Sequence, residues 1–241
     1  MSDKATHVRR SRCELRAREL ADYMAASAQR RRTVLRDAKY RPVARVLQHT
    51  EARATITTWL QEGEGDTSAL RDRAEWFRSR MTTGDFEAYQ NQHNADYVDA
   101  FAEACAELEI PPCEMRAATG KQTVDLNGTI IVHNPDLLLR RITKRNTIKT
   151  GALYLRYAKG KEMNADAAKF QSAFVFGFLS GLPPEAESGP EKKLCLTVCA
   201  YSGKATEAPT NSVYLYNEMK AACAAIADQW PNIEPPANAV L

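Results

Sequence analysis

The residues best placed to do chemistry lie in one stretch, "TIIVHNPDLLLRRITKRNTIKTGALYLRYAK", residues 129–159. Asp136 sits inside the first of two apolar runs, and Lys159 closes the second. Between them lies a loop rich in Lys and Arg. A carboxylate can hold a hard divalent cation, a lysine close to it suits metal-assisted hydrolysis, and the loop cations suit phosphate groups. The question the stretch raises is whether the chain carries that chemistry or only the scaffold for it.

The flanking sequence predicts the scaffold. Residues 11–38 and 43–61 carry apolar residues at helical spacing among good helix formers, and Pro42 interrupts them. Further helices are expected over 68–81 and 85–110, the last closed by Pro111 and Pro112. The texture changes near residue 120. "TVDLNGTIIV" has the Asn-Gly of a tight hairpin turn. "TIIVHNPDLLLRRI", "TGALYLRYAKG" and "EKKLCLTVCAYSG" read as strands, with Pro135 marking an edge or a bulge in the first. Phe170, Phe174 and Phe178 recur every four residues in a buried helix opened by Asn164. An Ala-rich helix over 211–230 stops at Pro231.

These elements define an α+β fold. A helical, basic N-terminal portion, residues 1–84, is expected to pack on an α-β-β-β-α-β domain, residues 85–241, built on a mixed sheet of about four strands.

An α-β-β-β-α-β core resembles the PD-(D/E)XK nuclease superfamily, over roughly residues 95–201. There the second core strand ends in an Asp, and the third carries an acidic residue, a spacer and a Lys. The resemblance implies a Mg²⁺-dependent nuclease. Asp136 and Lys159 are the implied catalytic residues, with Asp136 holding the metal and Lys159 beside the attacking water. Period-two alternation would put Tyr157 and Lys159 on one strand face. The chain departs from the pattern at Tyr157, which stands where the acid belongs; Asp125, Glu103 and Glu162 are the candidates to replace it, Asp125 and Glu103 first. The chain is also similar to a group of uncharacterised bacterial proteins that share "PDLLLR", a "GA"-opened "LYF-K"-like strand and a late "AACxxIAxxWP". Here those pieces are Pro135–Arg140, Gly151–Lys159 and Ala221–Pro231.

The charge pattern fits a phosphate-bearing partner and fits equally a basic and an acidic segment that neutralise each other inside the protein. Residues 1–53 carry a net +8, residues 54–118 a net −8 and residues 119–163 a net +6. Arg140, Arg141, Lys144, Arg145, Lys149 and Arg156 are the candidate nucleic-acid contacts. A second reading drops the metal and keeps the basic loop, as a nonenzymatic nucleic-acid-binding protein. A third makes the chain a subunit of a larger complex, its basic N-terminal helix docking an acidic protein partner. Other chemistry finds no footing, since the sequence has no Walker A, GxGxxG or GxSxG motif. His7, His49, His93 and His133 are scattered, and none of the six cysteines stands in a CxxC pair. Cys195 and Cys199 fall in an apolar run and read as buried hydrophobes. No apolar run reaches the ~20 residues of a membrane helix, and the N-terminus lacks the apolar core of a signal peptide. A cytoplasmic bacterial protein is the default.

Overall fold

The computed structural model describes residues 5–43, 49–63, 65–183 and 188–241. The N-terminal part forms β1 (His7–Arg9), β2 (Glu14–Arg16), α1 (Ala17–Met24), α2 (Ala28–Lys39) and β3 (Tyr40–Pro42). Three helices follow: α3 (Thr50–Glu62), α4 (Ser68–Ser79) and α5 (Asp85–Ala104). Then come β4 (Glu114–Ala117), β5 (Gln122–Leu126), β6 (Thr129–His133), β7 (Leu137–Ile142) and β8 (Ile148–Arg156). The chain finishes with α6 (Ala165–Ser180), β9 (Ser188–Cys199), β10 (Ala205–Glu207) and α7 (Ser212–Gln229).

The main sheet is mixed and five-stranded, in the order β10-β9-β8-β7-β4. β8 and β9 run parallel, with α6 as their crossover, and the other pairs are antiparallel. Alternation along β8 explains the layers. Ala152 and Tyr154 join a core with Leu20 of α1, Phe174 and Phe178 of α6 and Met219 of α7. Leu153 and Leu155 point the other way, into a core with Ile56 of α3, Phe77 of α4 and Phe101 of α5. The sheet is thus buried on both faces, and apolar residues fill β8 without interruption from Gly151 to Leu155. Gly151 sits at a register shift between β8 and β9. A Cβ there would lie 2.1 Å from the Leu194 carbonyl oxygen, so only glycine fits.

The α+β class and the mixed sheet agree with the sequence reading, and the helices at 68–79, 165–180 and 212–229 fall where periodicity places them. Several details differ. The run 129–142 is not one strand. Asn134 to Asp136 break it, and its halves belong to different sheets: β6 lies between β2 and β5, and β7 lies between β4 and β8. Pro135 cannot donate to a ladder, which explains the break. Residues 11–38 hold a short strand and two helices, because Ser27 caps α2 by accepting from the Arg30 N–H. Residues 44–48 of the helix expected over 43–61 lie outside the described residues. No boundary between cores falls at residue 84. β2 pairs with β6, Leu15 and Leu20 pack with α6 and α7, and α3 and α4 pack against the main sheet.

Candidate functional site

Asp136 lies at the start of β7 rather than at a strand's end. Its backbone N–H donates to the Leu153 carbonyl (2.9 Å) and ties it to β8. Its side chain is almost fully buried. Oδ1 accepts from Arg53 Nε (2.7 Å) and Nη2 (2.6 Å), and Oδ2 accepts from the Leu155 N–H (2.8 Å). Burial pushes the carboxyl above its ordinary range, while the Arg53 charge and the Leu155 N–H pull it back. The bidentate pair gives Asp136 a cation on one oxygen and a backbone donor on the other.

Lys159 and Tyr157 are engaged elsewhere. β8 ends at Arg156, so strand alternation does not govern residues 157–159. Lys159 Nζ donates to Asp96 Oδ2 on α5 (2.6 Å). Tyr157 stacks on the buried Tyr97, with ring centroids 4.1 Å apart, and His49 meets both rings edge-on. The position that the nuclease pattern reserves for an acid therefore serves packing.

The proposed replacement acids do not complete a metal site. Asp125 is exposed at the β5–β6 hairpin, where Oδ1 accepts from the Gly128 N–H (2.7 Å) in the turn formed by Asn127 and Gly128, both at positive φ. Glu103 is exposed near the end of α5, and Glu162 lies beside Lys204. No group of three or more His, Cys, Asp or Glu able to hold a metal occurs among the described residues. The residues present do not fit Mg²⁺, which asks for several hard oxygens around one ion; Asp136 offers a carboxylate already claimed by a guanidinium.

The candidate nucleic-acid contacts split into two places. Arg156 is at the Asp136 end of β8, where Nη1 donates to Gln171 Oε1 (2.6 Å) and Nη2 to Asp22 (2.7 and 2.9 Å). The other five lie on the β7–β8 hairpin. Its tip is about 20 Å from Asp136, six residues along a strand rising ~3.3 Å each. On the hairpin's flanks Arg140 faces Glu114 (3.5 Å), and Arg141 Nε donates to Glu191 (2.8 Å). Lys144, Arg145 and Lys149 have no ion-pair or hydrogen-bond partner for their side chains among the described residues, and Lys144 and Arg145 are exposed.

No model of a known protein family matches the chain, and no curated protein matches it. The site is therefore read from its own geometry.

The sequence reading missed three arginines. Arg53 is 83 residues from its partner Asp136, with nothing local to link them. Arg16 and Arg18 were visible only as part of the basic N-terminal segment. The structure brings Arg16 beside the strand that leads to Asp136, because β2 runs parallel to β6 with Arg16 opposite Val132. Arg18 lies one helical turn before Asp22, on the side of α1 that holds Arg156. Arg18 is exposed, yet surrounding protein and then the charges of Arg16, Arg156 and Arg53 lower its pKa against the pull of Glu19.

His133 positions this end from below. It is buried against Phe178, with ring centroids 4.4 Å apart. Tyr154 Oη lies 2.8 Å from His133 Nδ1 and accepts from the Asn134 N–H (3.0 Å), which fixes the residues leading to Asp136. Burial pushes the imidazole down to about 4. A depressed histidine pKa means that the unfolded chain binds the extra proton first, so stability present above about pH 6.5 is lost as pH falls toward 4. Between pH 6.5 and 5 the loss should be about 2 kcal/mol, at ~1.4 kcal/mol per unit. Urea midpoints of wild type and His133→Phe across that range check it: the difference in slope should disappear below pH 4. Parallel pH profiles would show that His133 does not titrate in this way.

Proposed function

We propose that the chain is a nonenzymatic nucleic-acid-binding module on a scaffold resembling the PD-(D/E)XK nucleases. What supports the scaffold is the element order α5–β4–β7–β8–α6–β9, with the β5–β6 hairpin inserted after β4. What supports a module rather than an enzyme is Arg53 on Asp136, with Tyr157 stacked on Tyr97 in place of an acid. The observation that carries nucleic-acid binding is the distribution of charge on the β7–β8 hairpin. Acidic partners neutralise Arg140 and Arg141 on its flanks, while Lys144 and Arg145 at its tip, and Lys149 opposite Arg141, have none among the described residues. Cations presented this way meet phosphates without breaking internal ion pairs.

The test is binding to single- and double-stranded DNA and RNA over a range of salt. Replacing Lys144, Arg145 and Lys149 together by Ala should weaken binding to every sequence. It should also flatten the plot of log affinity against log salt by roughly two, since each lost phosphate contact removes ~0.7–0.9 from the slope. Mg²⁺ or Mn²⁺ should produce no cleavage. An unchanged affinity and salt slope would reduce the hairpin to a solvated turn, and metal-dependent cleavage lost in Asp136→Asn would restore the enzyme.

A further inference from the structure

The surface around Asp136 carries more positive charge than its partners neutralise. Five arginines meet there: Arg16, Arg18, Arg41, Arg53 and Arg156. Three carboxylates answer them. Glu19 Oε1 accepts from Arg41 Nη2 (2.7 Å), Asp22 accepts from Arg156, and Asp136 accepts from Arg53. The neighbouring Arg10 and Glu14 pair with each other (2.6 Å) and leave the balance unchanged. Two charges remain, and they belong to Arg16 and Arg18, whose side chains have no hydrogen-bond or ion-pair partner among the described residues. They flank Ala17, where α1 begins, so the positive end of that helix adds to the same field.

The paired arginines are held in place by their partners. Asp136 fixes Arg53 through Nε and Nη2, which leaves Nη1 without a partner among the described residues. Asp22 and Gln171 fix Arg156 through its two terminal nitrogens, which leaves Nε free in the same sense. The surface thus offers two uncommitted guanidinium groups beside two oriented ones. Guanidinium groups recognise phosphate oxygens through paired N–H donors.

We propose that this arginine cluster binds a phosphomonoester, the dianionic phosphate that ends a nucleic-acid strand or a mononucleotide. The charge count favours a monoester over an internal phosphodiester. One dianion would neutralise both Arg16 and Arg18, whereas one phosphodiester carries a single charge and would leave the other uncompensated. Three acceptor oxygens also suit the free N–H groups of these arginines. The site is about 20 Å from the hairpin tip, the length of six strand residues, so an end held here and a backbone held there are separate contacts.

The test compares oligonucleotides of one sequence ending in 5′-phosphate, 3′-phosphate or only hydroxyl groups, together with inorganic phosphate and a nucleoside monophosphate, by titration calorimetry. A phosphorylated end should bind about tenfold more tightly or better than a hydroxyl end, the worth of a charged hydrogen-bond pair at ~1.4 kcal/mol per decade. Arg16→Ala/Arg18→Ala should abolish that preference; both side chains are exposed and unpaired, so the fold should tolerate it. The Lys144→Ala/Arg145→Ala/Lys149→Ala variant should bind all strands more weakly and keep the preference. Binding of inorganic phosphate and the mononucleotide, but of no strand, would support the arginine cluster as the phosphate site and defeat nucleic-acid binding by the hairpin. Equal affinity for phosphate and hydroxyl ends, or a preference that survives Arg16→Ala/Arg18→Ala, would overturn the phosphomonoester proposal while leaving the hairpin reading intact.

Discussion

Replacing Lys39 by Met is expected to lower the unfolding free energy by about 3 kcal/mol or more. Lys39 ends α2 and is only 1% exposed. Its Nζ donates to the carbonyls of Trp230 (2.6 Å), Pro231 (3.1 Å) and Ile233 (2.9 Å), which follow α7. Carbonyls at a helix C-terminus are unpaired and carry the negative end of its dipole, so a buried ammonium is tolerated there. Tyr40 Oη donates to the Ile233 carbonyl as well (2.9 Å), and Thr6 pairs with Val240 (2.8 Å), so both ends of the described chain meet at this clamp. Met keeps the bulk and removes the donors. Three hydrogen bonds from a charged donor are lost, each worth ~1.5–3 kcal/mol; the Trp230 and Ile233 carbonyls keep the Ile233 N–H and Tyr40 Oη, and the Pro231 carbonyl keeps no other donor among the described residues. Relief of the ammonium's desolvation offsets part of the loss. Urea denaturation gives the size, and faster hydrogen exchange or proteolysis over residues 233–241 gives the location. A loss under ~1 kcal/mol, the range of an ordinary surface change, would mean that water replaces the lysine at little cost.

How much of this was legible in the sequence follows from the range of each interaction. Local signals were read well. Phe170, Phe174 and Phe178 marked α6, Asn127-Gly128 marked the β5–β6 turn, and the apolar run of β8 marked a strand. Long-range pairings were not. β2 is three residues long and takes its place only because β6 accepts it in parallel, so nothing near Glu14–Arg16 distinguishes it from helix. Pro135 was read as an edge or a bulge in one strand, and the separation of β6 and β7 into two sheets depends on where β2 and β8 lie. At the site, Tyr157 was recognised as a departure from the acidic pattern. Its consequence, a ring stacked on Tyr97, needed α5 in place. Charge was legible as a segment property, and its division into neutralised and spare cations was not. The +8 of residues 1–53 gave no hint that Arg53 would serve Asp136 while Arg16 and Arg18 went unpaired.

The second large effect should come from Arg53. At neutral pH, Arg53→Met should destabilise the fold by about 3 kcal/mol, the lower end for breaking a buried pair, because the Arg53 side chain keeps some exposure (32%) whereas Asp136 keeps little (5%). The loss should depend on pH with a definite sign. Burial already raises the Asp136 pKa above its unfolded value of 3.8, and Arg53 opposes that rise. Without Arg53 the folded pKa moves further up. A group with a raised folded pKa favours the folded state most below its unfolded pKa, and that advantage is lost as pH rises through the folded value. The variant should therefore resemble wild type near pH 3.5, where its Asp136 is protonated, and fall behind progressively as pH rises toward 7. In an Asp136→Asn background the same replacement should cost under ~1 kcal/mol, since no buried charge is left behind. Urea unfolding of the four proteins from pH 3.5 to 7 measures the coupling, and a deficit independent of pH would show that Arg53 contributes packing instead. Adding Mg²⁺ to Arg53→Met separates this account from the metallonuclease one. A freed Asp136 belongs to no group of three or more His, Cys, Asp or Glu able to hold a metal among the described residues, so millimolar Mg²⁺ should not restore stability. If it did, the guanidinium would be standing in for a metal that the fold can still hold.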